Sequence, residues 1–368
     1  MRTGTFYFAG GGTGGHIYPA LAVAEKIVEL EPRAKIHFFI SGRDIDFRIL
    51  SKTNFSYSIL PAIGLSLSPS GFIRFVRLFF DSCRIAKGLL SKANNPVVIG
   101  VGGFVAAPVC RAGFKLNIPV KLLNVDIVPG RANKLSARWA DEVFLQFEET
   151  AAYFAQKGVR ATVTGCPLRS AFVNPNTAKA VEELGLDKDK KILLVTGASS
   201  GSQHINEAVC LLLDKLTDFS SEWRIVHLTG KQNFESVNEK YTRSTISSKV
   251  VDYYDNMPDL LSAADVVIGR SGAVSVAEYA AASVPSICMP YPYHKDRHQY
   301  LNAEKLVRAG AAVVVDDLPD ANERCEWLWE ELKQLLKDEK RRQKMTDCAK
   351  QISGIDASDR IARKLLSI

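Results

Sequence analysis

The sequence predicts an α/β protein with two parallel sheets, one in each of two domains. Three observations carry this prediction. Short β-rich runs alternate with helix-length amphipathic stretches, which is the pattern of parallel strands joined by crossover helices. The alternation starts at the N-terminus and restarts after the turn-rich stretch Gly165-Cys166-Pro167. At 368 residues, the chain also exceeds what one hydrophobic core usually organises.

The bounds of the elements follow from the apolar runs. We expect strands at residues 5–9, 35–40, 97–100, 120–123 and 142–145, and again at 191–196, 224–228, 250–253, 266–269, 286–289 and 312–315. The first domain is placed at residues 1–167 and the second at 168–351. Gly354 interrupts the charged helical tail, and we expect its last helix, at about 352–368, to pack back on the first domain.

Composition limits the class of protein without choosing a function. A hydrophobic fraction of 46% with 24% charged residues is typical of a soluble globular chain. The net charge of +7 is compatible with a phosphorylated substrate, a nucleic acid or an acidic membrane. Seven cysteines without C-x-x-C spacing favour reduced thiols over a disulfide framework.

The N-terminus shows no pattern of a cleaved signal, since Met1 leads directly into an apolar strand and then glycines. The longest apolar tract, Phe72 to Phe80, is interrupted by Arg74 and Arg77 and is too short to span a bilayer. Any membrane contact is therefore expected to be peripheral.

A glycine-rich loop, Gly10 to His16, follows the first predicted strand, and a helix-forming run begins around Pro19. Glycines there allow a ligand close to the backbone, and a helix N-terminus favours an anion. The loop also fits G-x-G-x-x-G, so a nicotinamide dehydrogenase must be considered. The second strand ends in Ser41-Gly42-Arg43 without the acid such an enzyme needs, which disfavours that class. A structural turn without phosphate is the other alternative.

Two further glycine clusters, Gly100 to Gly103 and Gly197 to Gly201, also follow predicted strands. Open α/β sheets bind ligands outside the carboxyl ends of their strands, so all three clusters are expected to line binding crevices. Tight turns explain any single cluster more often than ligands do. Three at equivalent positions favour a ligand.

The second domain contains the most specific stretch, Gly269 to Glu278. A strand is expected to end at Gly269 and a helix to start near Ala273, which would aim backbone N–H groups at a diphosphate. Glu278 could accept hydrogen bonds from ribose hydroxyls. A surface glutamate and an Arg270 that merely pairs with an acid are the alternatives. The polar loop from His294 to Asn302 suits recognition of sugar hydroxyls, or is a solvated charged loop.

These blocks resemble, in order, the signatures of the MurG-type N-acetylglucosaminyltransferases of peptidoglycan synthesis, and the resemblance covers nearly the whole chain. It includes the loop ending in His16 with Pro19-Ala20-Leu21-Ala22, the block from Arg270 to Glu278, and His294-Lys295-Asp296-Arg297 with Gln299 and Asn302. The resemblance implies a GT-B architecture, in which two Rossmann-like domains face a central cleft. It implies inverting transfer of N-acetylglucosamine from UDP-N-acetylglucosamine to lipid I, an undecaprenyl-diphosphate-linked muramyl peptide, giving lipid II without a metal or other cofactor.

The resemblance also implies site residues. The acceptor diphosphate would contact Gly11, Gly12, Gly102 and Gly103. The donor would contact Thr13, Gly14, Gly15, Asp126, Arg169, Ser199, Gly201, Tyr254, Arg270, Ser271, Gly272, Ala273, Val274, Ser275, Glu278, His298, Gln299 and Asn302. Within that set, Ser199 and the helix start at residues 273–275 would hold the diphosphate, Glu278 the ribose, and Gln299 the sugar. Arg169 and the backbone near Tyr254 would hold the nucleotide end.

Three departures from the family pattern lie near the donor sugar. Leu123-Asn124-Val125-Asp126 stands where the family has His-Glu-Gln-Asn, Ser200 replaces a glutamine, and His298 replaces the first glutamine of a pair. Another GT-B glycolipid transferase with a different UDP-sugar, or a UDP-sugar-binding protein without catalysis, therefore remains an alternative.

His16 is the leading candidate for the general base, because imidazole titrates near neutral pH. We expect it to face the cleft between the domains. Its alternative role is to orient the glycine loop through a hydrogen bond, and Asp126 is the rival base.

The stretch from Gly71 to Lys92 combines aromatic and basic residues, as in helices that lie on an anionic leaflet. An ordinary sheet-covering helix is the alternative. We expect the protein to lie peripherally on the anionic cytoplasmic face of the cell membrane. No nucleic acid is expected among its partners. The expected contacts are Phe72, Phe75, Phe79, Phe80, Arg77 and Arg84.

Overall fold

The computed structural model describes residues 4–65, 68–198 and 200–367. The chain divides into two compact units, one formed by Met1–Arg169 with Asp356–Ile368 and the other by Ser170–Ile355. The division after Arg169 lies two residues beyond Pro167, where the sequence places the domain boundary.

The first unit is built on a parallel sheet whose described strands have the order β3-β2-β1-β4-β5-β6-β7. The strands are β1 (Thr5–Ala9), β2 (Lys35–Ile40), β3 (Ser56–Ile59), β4 (Pro96–Gly100), β5 (Val120–Asn124), β6 (Glu142–Leu145) and β7 (Arg160–Val163). The helices between them are α1 (Gly14–Leu30), α2 (Asp44–Leu50), α3 (Pro69–Leu90), α4 (Ala106–Lys115), α5 (Arg131–Ser136) and α6 (Ala151–Ala155).

The second unit repeats the plan, with a parallel sheet in the order β10-β9-β8-β11-β12-β13. Its elements are α7 (Thr177–Glu183), β8 (Lys191–Thr196), α8 (Gln203–Leu211), α9 (Leu213–Thr217), β9 (Trp223–Leu228), α10 (Phe234–Thr242), β10 (Ser248–Val251), α11 (Met257–Ala263), β11 (Val266–Gly269), α12 (Ala273–Ala281), β12 (Ser286–Cys288), α13 (His298–Ala309), β13 (Ala312–Val314), α14 (Ala321–Lys337) and α15 (Glu339–Ile352). The last helix, α16 (Ala357–Leu366), belongs to the first unit.

The predicted α/β class with two parallel sheets is confirmed, and each strand expected from the sequence is present within about two residues. The sequence missed β3 and β7. Both are edge strands of four residues with largely exposed side chains, so they lack the continuous apolar run that marks a buried parallel strand. Central strands such as β1 and β5 are buried along their whole length.

Helix α16 is attached to the first unit by polar contacts as well as by its buried apolar face. The Ser358 hydroxyl donates to the Leu168 carbonyl at 3.1 Å, and the Arg360 guanidinium donates to the Thr164 carbonyl at 2.6 Å. The Lys364 ammonium lies 3.4 Å from the Glu142 carboxylate. These contacts explain why the chain returns to the first unit after Ile352.

Each sheet changes the direction of its strand order at one point, between β1 and β4 in the first unit and between β8 and β11 in the second. At such a switch point the loops that leave neighbouring strands diverge to opposite faces and open a crevice at the carboxyl edge. The loops after β1 and β4, and after β8 and β11, include the three glycine clusters and the block from Gly269 to Glu278.

Candidate functional site

The two glycine loops of the first unit pack against each other at the switch point. Gly103 has φ +75°, and a β-carbon there would lie 2.6 Å from the Gly11 carbonyl oxygen. Only glycine fits this backbone conformation and this contact without strain. The expectation that both loops share one edge of the sheet is therefore confirmed.

Helix α1 begins at Gly14, not near Pro19 as the sequence suggested. Thr13 is its N-cap, so Gly14, Gly15 and His16 form the first turn. Pro19 lies inside the helix, where it forgoes the hydrogen bond to the carbonyl four residues earlier. The consequence is that the amides at the start of α1 are next to the glycine loop, where an anion or a polar group can reach them.

Asp46 is a buried carboxylate that fixes the first glycine loop, and the sequence analysis did not find it. Its Oδ1 accepts from the Gly12 amide at 2.7 Å, and its Oδ2 accepts from the Ser41 amide and hydroxyl at 3.1 and 2.6 Å. The Gly12 N–H is therefore already engaged, and the predicted contact of Gly12 with the acceptor diphosphate stays a prediction. Asp46 binds the glycine loop and Ser41, in place of the ribose that an acid near the second strand would hold in a dehydrogenase.

His16 lies beside the second glycine loop. Its Nδ1 is 3.1 Å from the Thr13 hydroxyl, and a β-carbon on Gly102 would lie 2.8 Å from its ring. Burial lowers the pKa of His16, while the negative charge of Asp126 and a hydrogen bond to the Gly11 backbone act in the opposite direction. The imidazole is therefore neutral near pH 7 and is able to accept a proton.

Asp126 follows β5, the strand next to β4, and hydrogen bonds from two asparagines hold the turn that contains it. The Asn124 amide donates to the Asp126 carbonyl at 2.7 Å, and the Asn133 amide donates to Asn124 Oδ1 at 3.0 Å. Both asparagines are buried. The turn is thus held by side-chain hydrogen bonds, and Asp126 lines the same crevice as His16.

A groove of about 650 Å³ joins these residues, and it lies within the first unit. Its lining includes His16, Gly102, Gly103, Asp126 and Arg131. The remaining lining is largely apolar and comes from α3, α4, α5 and the loops after β3, β4 and β5. The arrangement places a candidate base and two glycine amides at a crevice with an apolar wall.

The four phenylalanines of helix α3 that the sequence assigns to membrane contact differ in their exposure. Phe72 and Phe80 are 51% and 52% exposed, whereas Phe75 and Phe79 line the groove. The expected membrane contact of all four phenylalanines stays a prediction, and Phe72 and Phe80 are the more exposed of them. Arg77 and Arg84 are exposed, and both lie near the Asp81 carboxylate, at 3.9 and 2.8 Å. Among the described residues, no helix is long and apolar enough to cross a bilayer.

In the second unit, the glycine loop after β8 packs tightly on the end of β9. Gly201 has φ +75°, and a β-carbon there would collide with the Thr229 carbonyl. Close backbone packing therefore requires glycine at this position whether or not a ligand binds. Ser199, which the resemblance assigns to the donor diphosphate, lies outside the described residues.

Helix α12 begins as the sequence predicts, with Gly272 as its N-cap. Because Gly272 has no side chain, it leaves the amides of Val274 and Ser275 without a side-chain cap. The Ser275 hydroxyl hydrogen-bonds the buried Tyr279 phenol, which in turn donates to the Arg270 carbonyl at 3.0 Å. Glu278 is half-buried one turn after Ser275. The N-terminus of α12 is thus suited to bind an anion, and the Glu278 carboxylate lies one helical turn further along.

Arg270 is buried inside the second unit and pairs with an acid, which is the alternative that the sequence leaves open beside donor contact. Its Nη1 lies 2.8 Å from Asp317 Oδ2 and donates to the Met289 carbonyl at 2.8 Å. Its Nη2 donates to the Ser202 hydroxyl at 2.7 Å. One guanidinium therefore connects the loops after β8, β11, β12 and β13, so Arg270 positions the candidate diphosphate site.

Asp317 completes this cluster and was missed by the sequence analysis. Its side chain is fully buried, with His204 Nδ1 at 2.8 Å from Oδ1 and Arg324 Nη1 at 3.7 Å. Nothing in the local sequence around Asp317 distinguishes it from a surface acid. The pairing with Arg270 could be found only from the fold, since 47 positions separate the two residues.

The polar stretch from His298 to Asn302 is the first part of α13 and not a loop. Asn302 is fully buried and donates to the Ser271 carbonyl at 3.3 Å, so it supports the loop before α12. Gln299 Oε1 accepts from the Tyr291 amide at 2.9 Å. His298 stacks on His294, with ring centroids 4.2 Å apart, and its Nδ1 lies 2.7 Å from Asp296.

The two residues assigned to the nucleotide end have other contacts in their own units. The Tyr254 hydroxyl donates to Glu183 at 2.7 Å. The Arg169 guanidinium lies over the Tyr18 ring of α1 at 4.5 Å, within the first unit.

Two family models match the chain. The glycosyltransferase family 28 N-terminal domain matches residues 6–145, and the family 28 C-terminal domain matches residues 192–361. These ranges include the strands of both sheets except β7, apart from the first residues of β1 and β8, and they leave out the connection from β6 to β7. The matches extend over most of the chain.

Two relatives match the chain over most of its length. The chain is 32% identical to the UDP-N-acetylglucosamine–N-acetylmuramyl-(pentapeptide) pyrophosphoryl-undecaprenol N-acetylglucosamine transferase of Thermoanaerobacter sp. (strain X514), over 99% of both chains. It is 36% identical to the transferase of the same name from Carboxydothermus hydrogenoformans, over 86% of this chain and 85% of that one.

Among solved structures, the crystal structure of MurG from Acinetobacter baumannii is similar with a TM-score of 0.72 at 24% identity, covering 99% of each chain. That likeness shows the two-domain GT-B fold class. The sequence matches show the family: this chain belongs to glycosyltransferase family 28 and, within it, to the UDP-N-acetylglucosamine–N-acetylmuramyl-(pentapeptide) pyrophosphoryl-undecaprenol N-acetylglucosamine transferases.

Proposed function

We propose that this protein transfers N-acetylglucosamine from UDP-N-acetylglucosamine to undecaprenyl-diphospho-N-acetylmuramyl-peptide, lipid I, and so makes lipid II for peptidoglycan. The observation that carries the proposal is the pair of switch-point crevices, each with glycine loops or a helix N-terminus at the carboxyl edge of its sheet. Such sites favour anions, and both substrates of this reaction carry a diphosphate.

In the second unit, the donor diphosphate is assigned to the start of α12. The amides of Val274 and Ser275 point out of the helix N-terminus, where positive partial charge stabilises an anion by about 0.3–1 kcal/mol, and more where buried. Glu278 is assigned to the ribose hydroxyls and Gln299 to the sugar. Buried Arg270 and Asn302 hold the loops that form this crevice.

In the first unit, the acceptor diphosphate is assigned to Gly102 and Gly103, next to His16. The acceptor hydroxyl attacks the anomeric carbon while the bond from that carbon to the UDP oxygen breaks, and UDP leaves with the electron pair. The proton of the hydroxyl passes to the neutral His16 imidazole. The carboxylate of Asp126 stabilises the imidazolium that forms, as its charge already favours the protonated ring.

Contact with the membrane is assigned to the exposed side of α3. Phe72, Ile73 and Phe80 project from this side, with Arg77 and Arg84 beside them. Aromatic side chains enter the headgroup region, and each nearby cation contributes about 1 kcal/mol on an anionic leaflet. We assign this surface to the cytoplasmic face of the cell membrane, in keeping with a lipid-linked acceptor.

A transfer assay with the purified chain tests the function. It pairs UDP-N-acetylglucosamine, UDP-glucose and UDP-galactose separately with a lipid I analogue, and it follows UDP release and the lipid product. We expect product with UDP-N-acetylglucosamine only. Product with another donor would establish a different glycolipid transferase, and UDP binding without product from any donor would establish a binding protein without catalysis.

A further inference from the structure

Thr13 is the N-cap residue of α1, but its side chain does not cap the helix. An N-cap threonine usually accepts a hydrogen bond from the amide two or three residues later, and this bond contributes about 1 kcal/mol. In this chain Thr13 Oγ1 instead lies 3.1 Å from Nδ1 of His16. The hydroxyl thus forgoes the stabilising bond to the helix and is directed to the imidazole of the candidate base.

The contacts of the His16 ring determine which nitrogen carries the proton of the neutral imidazole. Besides Thr13, the ring hydrogen-bonds to the Gly11 backbone, and this bond favours the protonated ring. The Gly11 group is therefore the carbonyl oxygen, which accepts from a ring N–H. Because Nδ1 faces the Thr13 hydroxyl, that N–H belongs to Nε2, the nitrogen that lies against Gly102. Nδ1 then holds the lone pair and is the basic atom of the ring.

The Thr13 hydroxyl has the polarity that a proton relay requires. Since Nδ1 carries a lone pair, the hydroxyl donates its only hydrogen to Nδ1, and its two oxygen lone pairs remain to accept another hydrogen bond. It forms no other hydrogen bond with the residues that the structure describes. Thr13 is exposed, and a β-carbon on Gly15 would meet only Thr13 Oγ1, at 3.8 Å. A substrate hydroxyl can therefore reach Thr13, whereas Thr13 itself occupies Nδ1 of the half-buried His16.

From these contacts we propose that Thr13 relays the proton of the acceptor hydroxyl to His16. The acceptor oxygen forms its bond to the anomeric carbon while its O–H bond breaks, and the proton passes to Thr13 Oγ1. The original hydroxyl hydrogen of Thr13 passes to Nδ1 of His16, and UDP leaves with the electron pair of its bond to the anomeric carbon. Thr13 stays neutral, and the imidazole becomes the imidazolium that Asp126 stabilises. The inference rests on the proposed function and makes Thr13 a catalytic residue of that reaction.

Substitutions of Thr13 test the relay in a transfer assay with UDP-N-acetylglucosamine and a lipid I analogue. Thr13→Val keeps the shape of the side chain and removes the hydroxyl, so kcat should fall about 10²-fold or more, as expected when a general base is lost. UDP affinity measured by calorimetry should not change, and neither should urea unfolding, because Thr13 does not cap α1. Thr13→Ser keeps the hydroxyl and should retain most of the activity. The matched control, Thr242→Val, removes an exposed threonine hydroxyl at the end of α10 and should transfer as the wild type.

Two further measurements separate a relay from a structural role of Thr13. The double variant Thr13→Val, His16→Ala should be no slower than His16→Ala alone, because residues that act in one proton path lose activity non-additively. A structural role predicts an added loss in the double variant. Nitrogen NMR of the free protein with labelled histidine should find the proton on Nε2 of His16 at neutral pH, and Thr13→Val should shift the Nδ1 signal.

The outcomes distinguish a failure of the relay from a failure of the proposed function. If the wild type makes lipid II but Thr13→Val transfers as fast as Thr242→Val, the relay is overturned and the function stands. The same holds if Thr13→Val binds UDP more weakly at an unchanged kcat, since Thr13 then contacts only the donor. A proton on Nδ1 of His16, or losses that add in the double variant, also overturns the relay. If the wild type transfers no sugar to lipid I, the proposed function fails and the relay fails with it.

Discussion

The buried carboxylate of Asp317 should be essential for donor binding although it is not placed to touch the donor. It pairs with Arg270 and His204 at 2.8 Å each, and Arg270 in turn holds Ser202 and the Met289 carbonyl. Asp317→Asn keeps the size of the side chain but removes its charge. Loss of one partner of a buried ion pair costs about 3–5 kcal/mol, and the remaining amide oxygen offsets part of it, so we expect about 2–3 kcal/mol of lost stability.

That loss leaves a domain of ordinary stability folded, so binding can still be measured. The loosened loops should raise the KM for UDP-N-acetylglucosamine about tenfold, with a smaller change in kcat and none in the acceptor KM. Urea unfolding measures the free energy of unfolding. Steady-state kinetics with either substrate varied separates the change in the donor KM from the changes in kcat and in the acceptor KM. The matched control is Asp214→Asn, an exposed acid of the same unit. If the two variants have the same stability and the same donor KM, Asp317 does not position the donor site.

Three further predictions concern protonation and membrane contact. His16→Ala should lower turnover about 10²–10⁴-fold while UDP affinity measured by calorimetry changes little, and unchanged turnover would remove His16 from the mechanism. Burial lowers the pKa of His227 to about 3, so below pH 6.5 only the unfolded chain takes up its proton, and stability falls by about 2 kcal/mol between pH 6.5 and 5. Urea unfolding should show this acid slope weakened in His227→Gln, and an equal slope in both proteins would contradict it. The double variant Phe72→Ser, Phe80→Ser should co-sediment less with anionic vesicles than the wild type does. The control Trp327→Ser, which changes an exposed aromatic residue of the second unit, should co-sediment as the wild type does. Undiminished co-sedimentation of the double variant would show that the exposed side of α3 does not bind the membrane.

Residues close in sequence determined the fold class and the edges at which ligands can bind. Apolar runs of four to six residues followed by glycines mark buried parallel strands and the turns after them, and these signals are local. The start of α12 after Gly272 was predicted for the same reason. The start of α1 was not, because Pro19 is a strong helix-start signal that tertiary packing overrode.

Only the tertiary structure decided which polar and aromatic side chains support neighbouring loops and walls of the candidate sites. Whether Arg270 meets a ligand or an acid depends on Asp317, and whether Gly12 offers its amide depends on Asp46; each partner comes from a distant segment. The sequence likewise showed four phenylalanines on one helix, and only packing separates Phe75 and Phe79 from the exposed pair. Burial and pairing are properties of the folded environment, so a local pattern gives the chemistry available at a site but not which groups the fold has already engaged.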